Sequence, residues 1–113
     1  MKNSKATVIT LSGELGAGKT HFTKYLAKSL GVKEIVNSPT YVIIKNYKLK
    51  SKHYDKLVHI DAYRLAGADD LVRLGWYEIL VNPRNLVVIE WPEIVRGVIP
   101  TNAIKLTIKG AII

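Results

Sequence analysis

The chain of 113 residues contains no cysteine, a single phenylalanine and a single methionine. Without cysteine there can be no disulfide, no thiolate metal site and no cysteine nucleophile, and a cytoplasmic location is expected. Long hydrophobic runs are also missing. The longest, such as "YVII" and "LVVI", fall far short of the ~18 residues of a membrane span, so no membrane association is expected. The N-terminal "MKNSKATVITLSG" is positively charged at its start but passes into an alternating, strand-like segment and not into the apolar core of a signal peptide. Arginine is scarce, at Arg64, Arg73, Arg84 and Arg96 only, and neither D-x-x-G nor N-K-x-D occurs.

What is present is a globular composition, 48% hydrophobic. A chain of this length is read as one domain over residues 1–113, burying roughly two thirds of its unfolded surface. The formal charge is +8, and Lys45, Lys48, Lys50, Lys52 and Lys56 crowd one stretch. Such a run can serve as a polyanion patch or simply as a solvated hairpin. With only Tyr47 and Tyr54 interleaved as stacking residues, the solvated hairpin is the better reading.

The apolar pattern sets out the elements. "ATVITL" is a β-branched run ending near Gly13 and reads as a buried first strand. From Lys19 the period becomes helical, with Phe22, Leu26 and Leu30 spaced by four and Gly31 placed to end the helix. "EIV" reads as a brief strand leading into "NSPTY", where Pro39 extends the backbone at Ser38. "YVIIKNYKL" and "KLVHIDAYRL" form a hairpin across the polar "KSKHYD". Asp69 or Asp70 is expected to cap a helix through Leu71 and Leu74, interrupted by Gly75 and stopped before Pro83. "NLVVIE" is an apolar strand ending in a carboxylate, and "AIKLTIK" a half-exposed last strand. A strand–loop–helix start with two wholly apolar strands indicates an α/β sheet covered on both faces.

"GELGAGKT", residues 13–20, fits the phosphate-loop pattern G-x-x-x-x-G-K-S/T and lies between a strand and a helix, as that motif requires. Gly13, Gly16 and Gly18 let the backbone curl so that the amides of this stretch, including Glu14, Leu15, Ala17 and His21 at its edges, surround phosphate oxygens. The helix beginning near Lys19 adds the positive end of its dipole. Lys19 can reach the outer phosphates, and the Thr20 hydroxyl can ligate Mg²⁺. The alternative is an incidental glycine turn, but a chance match in a chain of this length has odds of roughly one in a few hundred.

Mg²⁺ prefers oxygen ligands, which directs attention to carboxylates at strand ends. Glu90 closes "LVVIE" at the carboxyl edge of the sheet, the usual ligand side. Asp61 lies in "VHIDAYRL", where strand alternation puts His59, Asp61 and Tyr63 on one face and Val58, Ile60 and Ala62 on the other. His59 can equally be a donor behind the site or a satisfied structural histidine, and Trp91 either core packing or a platform beside the site. In "SPTY", Thr40 or Ser38 could sense a terminal phosphate as switch segments do, or the segment could be a rigid proline turn.

"GELGAGKTHF", "SPTY", "HIDAYRL", "DDLVRLGWYEIL" and "VVIEWPE" resemble, in order and spacing, the TsaE (YjeE) family of ATPases of tRNA threonylcarbamoyladenosine biosynthesis. The resemblance runs from about Thr7 to Arg96 and is far more specific than the phosphate loop alone. It implies a single-domain P-loop NTPase fold: a mainly parallel central sheet with antiparallel flanking strands and helices on both faces. It implies weak, Mg²⁺-dependent ATP hydrolysis to ADP, with Lys19, Asp61 and Glu90 as the catalytic set. Thr20 and Glu90 would stand on the metal side, Asp61 would organise metal or attacking water, and "SPTY", with Thr40 at the nucleotide, would be the switch. The implied partners are the TsaB and TsaD proteins, with at most an indirect or weak contact to tRNA. Family members ordinarily carry a helical segment before the first strand, where this sequence has "MKNSK".

Other functions weigh less. A small-molecule phosphate-loop kinase needs several arginines converging on the transferred phosphoryl group, and a GTPase needs the two motifs that are missing. A scaffold that senses nucleotide without hydrolysing it shares every motif quoted above.

Overall fold

The computed structural model describes residues 5–13, 19–32 and 43–108, with backbone only at Lys19 and Thr20. The "EIV" strand and the "NSPTY" segment lie outside the described residues. Along the chain come β1 (Thr7–Ser12), α1 (Lys19–Ser29), β2 (Ile44–Lys48), β3 (Lys56–Asp61), α2 (Ala68–Arg73), α3 (Trp76–Leu80) and β4 (Asn85–Glu90). A 3-10 helix, Pro92–Val98, and β5 (Ile104–Thr107) complete the order.

The described strands form one sheet in the order β2-β3-β4-β1-β5. β3, β4, β1 and β5 run parallel, and β2 is antiparallel to β3. The "KSKHYD" turn and the hairpin around it are as the sequence indicates. Arg84 ties that turn to the start of β4 by donating to the Lys52 carbonyl at 2.9 Å and to Asp55 Oδ1 at 2.7 Å. The hydrogen bond from Arg84 holds the Asp55 carboxyl below its ordinary pKa. Lys45 and Lys48 are exposed on the outermost strand of the described sheet, where ammonium groups discourage edge-to-edge pairing.

Every residue of β4 is buried, because both faces of the sheet are covered. On one face Ile9, Leu11, Leu57, Leu86 and Val88 pack with Ala27, Phe22, Leu26 and Leu30 of α1. On the other, Val8, Val58, Ile60, Val87 and Ile89 pack with Leu71, Trp76 and Val95 from the two short helices and the 3-10 helix. Each such aliphatic side chain contributes roughly 1.5–3 kcal/mol by leaving water. The central β4 is therefore continuously apolar from Leu86 to Ile89 and not alternating.

α1 presents Phe22, Thr23, Leu26, Ala27 and Leu30 inward, a helical stripe, with Lys24, Tyr25 and Lys28 outward. It ends as the sequence indicates. Gly31 takes φ 87°, its N–H reaches the Lys28 carbonyl at 3.2 Å, and the Val32 N–H reaches the Ala27 carbonyl at 3.0 Å. This is a Schellman closure, and Val32 adds its apolar contact to the core beside Leu26. The expected cap by Asp69 or Asp70 is corrected. Gly67 stands at the N-cap of α2, and both acids lie in the first turn. Asp70 instead reaches back, Oδ2 accepting from the Ala66 N–H at 2.8 Å and Oδ1 from Arg73 at 2.8 Å. A carboxylate on the third helical residue satisfies an upstream donor and still meets the helix dipole. Gly75, at φ 95°, separates α2 from α3.

Gly31→Ala tests the closure of α1. The new methyl would sit in the left-handed region and 3.4 Å from the Lys50 Cβ. A loss of about 1–2 kcal/mol in urea unfolding is expected; an unchanged midpoint would show that the helix ends for another reason.

Candidate functional site

Register decides which polar groups meet. Glu90 of β4 pairs with Leu11 of β1 on one side and with Asp61 of β3 on the other, so the two carboxylates stand side by side at the carboxyl edge of the sheet. Alternation places both on the face that carries α1, continuing the Leu57 and the Leu86–Val88 positions. Gly13 follows β1 on the same edge with φ 148°, a backbone that favours glycine. α1 starts at Lys19, with no acidic residue in its first turn to offset the positive end of its dipole. β1 thus leads into the phosphate-loop segment and α1 out of it, with the two acids at the sheet edge where β1 ends.

The two acids differ in surroundings. Glu90 is 3% exposed, and its Oε2 lies 2.5 Å from Nε2 of the wholly buried His59. Asp61 is half-buried and accepts the Tyr63 N–H on Oδ1 at 3.0 Å, a short turn that holds its carboxylate at the strand end. The Ala62 N–H donates to the Glu90 carbonyl at 3.0 Å and extends the β3–β4 ladder to this edge. His59 thus meets Glu90 directly, a contact compatible with either reading open for it, a donor behind the site or a satisfied structural histidine.

Tyr63 and Trp91 follow the two acids and meet each other, ring centroids 5.1 Å apart and tilted by 50°. Trp91 is the non-glycine residue with positive φ among the described residues, at 60°. The conformation costs roughly 1–2 kcal/mol. Pro92 disfavours the right-handed helical alternative at Trp91, and the Tyr63 ring and the core packing hold the side chain. Of the two readings open for Trp91, core packing is what the structure shows.

Of the remaining sequence-assigned residues, Glu14, Leu15, Gly16, Ala17, Gly18 and Thr40 lie outside the described residues. Lys19 and Thr20 open α1, and His21 is exposed in its first turn. Sequence reasoning missed the 3-10 helix, although a proline directly after "IEW" is a helix-start signal. It also missed a cleft of about 360 Å³ between β1, β5 and that helix, lined by Thr10, Ser12, Arg96 and Lys105 among others. This cleft lies on the face away from α1 and does not include the two acids.

Two carboxylates at neighbouring strand ends suit a cation that takes few protein ligands. Among the described residues no group of three or more His, Asp or Glu is placed to enclose a metal. Mg²⁺ fits this donor set, since it keeps several waters and shares phosphate oxygens instead of demanding a full protein cage. Among the described residues no helix is long and apolar enough to cross a membrane.

Comparison with known proteins agrees with this arrangement. The family model for threonylcarbamoyl adenosine biosynthesis protein TsaE matches residues 1–112. The tRNA threonylcarbamoyladenosine biosynthesis protein TsaE of Bacillus subtilis is 38% identical over 104 residues, covering 92% of this chain and 62% of the relative. That of Borreliella burgdorferi is 37% identical over 103 residues, covering 90% and 72%. The crystal structure of Bacillus subtilis YdiB superposes with a TM-score of 0.74 at 32% identity, over 98% of this chain and 64% of that one. The chain thus spans about two thirds of the length of these relatives. With its mostly parallel sheet, its P-loop NTPase fold and its two acids at one edge, the chain belongs to the TsaE family of tRNA threonylcarbamoyladenosine biosynthesis.

Proposed function

We propose that the protein binds and slowly hydrolyses ATP with Mg²⁺, and that this activity supports repeated turnover of a TsaB–TsaD complex that makes threonylcarbamoyladenosine in ANN-decoding tRNAs. The observation that carries the reading is the shared register of Asp61 and Glu90 beside the end of β1, from which the "GELGAGKT" segment leads into α1. The loop amides and Lys19 would bind the phosphates, and Thr20, Glu90 and Asp61 would hold the metal. When bound, Mg²⁺ neutralises phosphate charge and orients the terminal phosphoryl group. Asp61, the less enclosed acid, would also orient the attacking water. The threonylcarbamoyl transfer itself falls to TsaD, so a small domain suffices for the nucleotide step. Localisation in the cytoplasm accords with a tRNA-modifying role.

Ligand that binds only the native state stabilises it by RT ln(1 + [L]/Kd), about 2.7 kcal/mol at a hundred times Kd. Mg·ATP should accordingly raise the Tm by several degrees, and Lys19→Ala should remove most of the rise. The same shift in the variant would place the nucleotide elsewhere. Asp61→Ala and Glu90→Ala are each expected to lower the steady-state rate of phosphate release by about a hundredfold or more while leaving a cooperative thermal transition. Full activity in either would take that residue out of the mechanism. Adding the cognate TsaB–TsaD pair should change the ATPase rate and allow multiple turnovers of tRNA modification. No association and no change in rate would favour a nucleotide sensor acting without these partners.

A further inference from the structure

We infer that His59 is a positioning residue: its buried Nε2–H fixes the Glu90 carboxylate in the orientation the metal side of the site requires. The inference rests on the ATPase reading above and adds to it a residue that does not touch nucleotide.

Toward the interior of the sheet, the neighbours of His59 on its face are aliphatic. Leu57 precedes it on β3, Val88 is its register partner on β4, and Leu86, Ile9 and Leu11 continue the layer. An imidazole in that row is out of keeping with packing alone, because a leucine there would bury as much area without a polar cost. Among the described residues the ring's Nδ1 has no hydrogen-bond partner. The ring's other nitrogen is directed at Glu90. Lys45, opposite His59 on β2, is exposed and has its ammonium 5.9 Å from the Tyr47 ring centroid.

The geometry also explains why Glu90 needs this support. It is the last residue of a strand covered on both faces, and its register partner Asp61 is a second carboxylate. Like charges at adjacent positions repel, and a nearly enclosed carboxylate is stable only with a donor. With the carboxylate ionised, Nε2 carries the proton and donates it, a charge-assisted bond at 2.5 Å. One oxygen is thereby committed to His59, and the carboxylate cannot rotate freely. Asp61, held by a backbone N–H two residues on, keeps more freedom. The pair divides into one fixed and one adaptable acid.

The experiment compares His59→Leu, which removes the donor, with His59→Gln, whose side-chain amide can still donate to Glu90. Each is titrated with Mg²⁺ in the presence of a non-hydrolysable ATP analogue, following the Tm, and each is assayed for ATP hydrolysis. Loss of a group that orients a metal ligand typically costs 10–100-fold in metal affinity or activity. His59→Leu should therefore raise the Mg²⁺ midpoint and lower kcat by about tenfold or more each, with little change in stabilisation by the metal-free analogue. His59→Gln should recover most of both. If His59→Leu keeps the wild-type midpoint and kcat, or if Leu and Gln lose both equally, the inference is overturned and His59 is structural. Should His59→Leu not fold, the Gln variant decides alone: a wild-type Mg²⁺ midpoint supports the inference, and a midpoint raised tenfold overturns it. Failure of the ATPase reading has a separate signature, since the wild-type protein would then show no nucleotide-induced rise in Tm.

Discussion

Because β3, β4 and β1 run parallel and in register, their carboxyl ends finish together, and the polar groups that close them are gathered along one line. Upstream of that line both faces of the sheet are sealed by aliphatic packing. The last positions are the first at which a charged side chain can be accommodated. Asp61 meets that condition with partial access to solvent, whereas Glu90 meets it beside the buried His59. An ionised carboxylate buried without a partner costs several kcal/mol, so the His59–Glu90 contact is what makes the line of acids compatible with a closed core.

The helices make that edge rigid. α1 covers the face toward which both acids project, and its Schellman closure at Gly31 fixes where its far end meets the core. On the other face, the Trp76 indole N–H donates to the Val98 carbonyl at 3.0 Å and joins α3 to the 3-10 helix. That helix begins at Pro92, immediately after the strained Trp91, so the packing that stabilises it also holds the Trp91 backbone in place. Strain next to a charged pair persists here because several contacts over-determine it: the Tyr63 ring, the proline and the core.

Much of this was legible in the chain. The phosphate-loop pattern, the apolar β4, the lysine-rich hairpin and the glycine that ends α1 each follow from a local rule, such as a fixed spacing, a period or a backbone conformation that favours glycine. The cap of α2 was less legible, because aspartates at neighbouring positions satisfy the same preference and only the three-dimensional path shows which donor Asp70 reaches. The 3-10 helix carried just one signal, Pro92. The Tyr63–Trp91 contact carried none, since the two rings come from different strand ends.

The amino-acid order by itself determined most of the elements, the phosphate-loop spacing and the presence of carboxylates at two strand ends, because those depend on residues close together in the chain. It could not determine that Asp61 and Glu90 would be register partners, or that His59, 31 positions away, would be the donor buried against Glu90. Those facts belong to the pairing of β3 with β4. In a parallel sheet a shift of one residue would turn each side chain to the opposite face, so long-range packing alone selects which polar atoms meet.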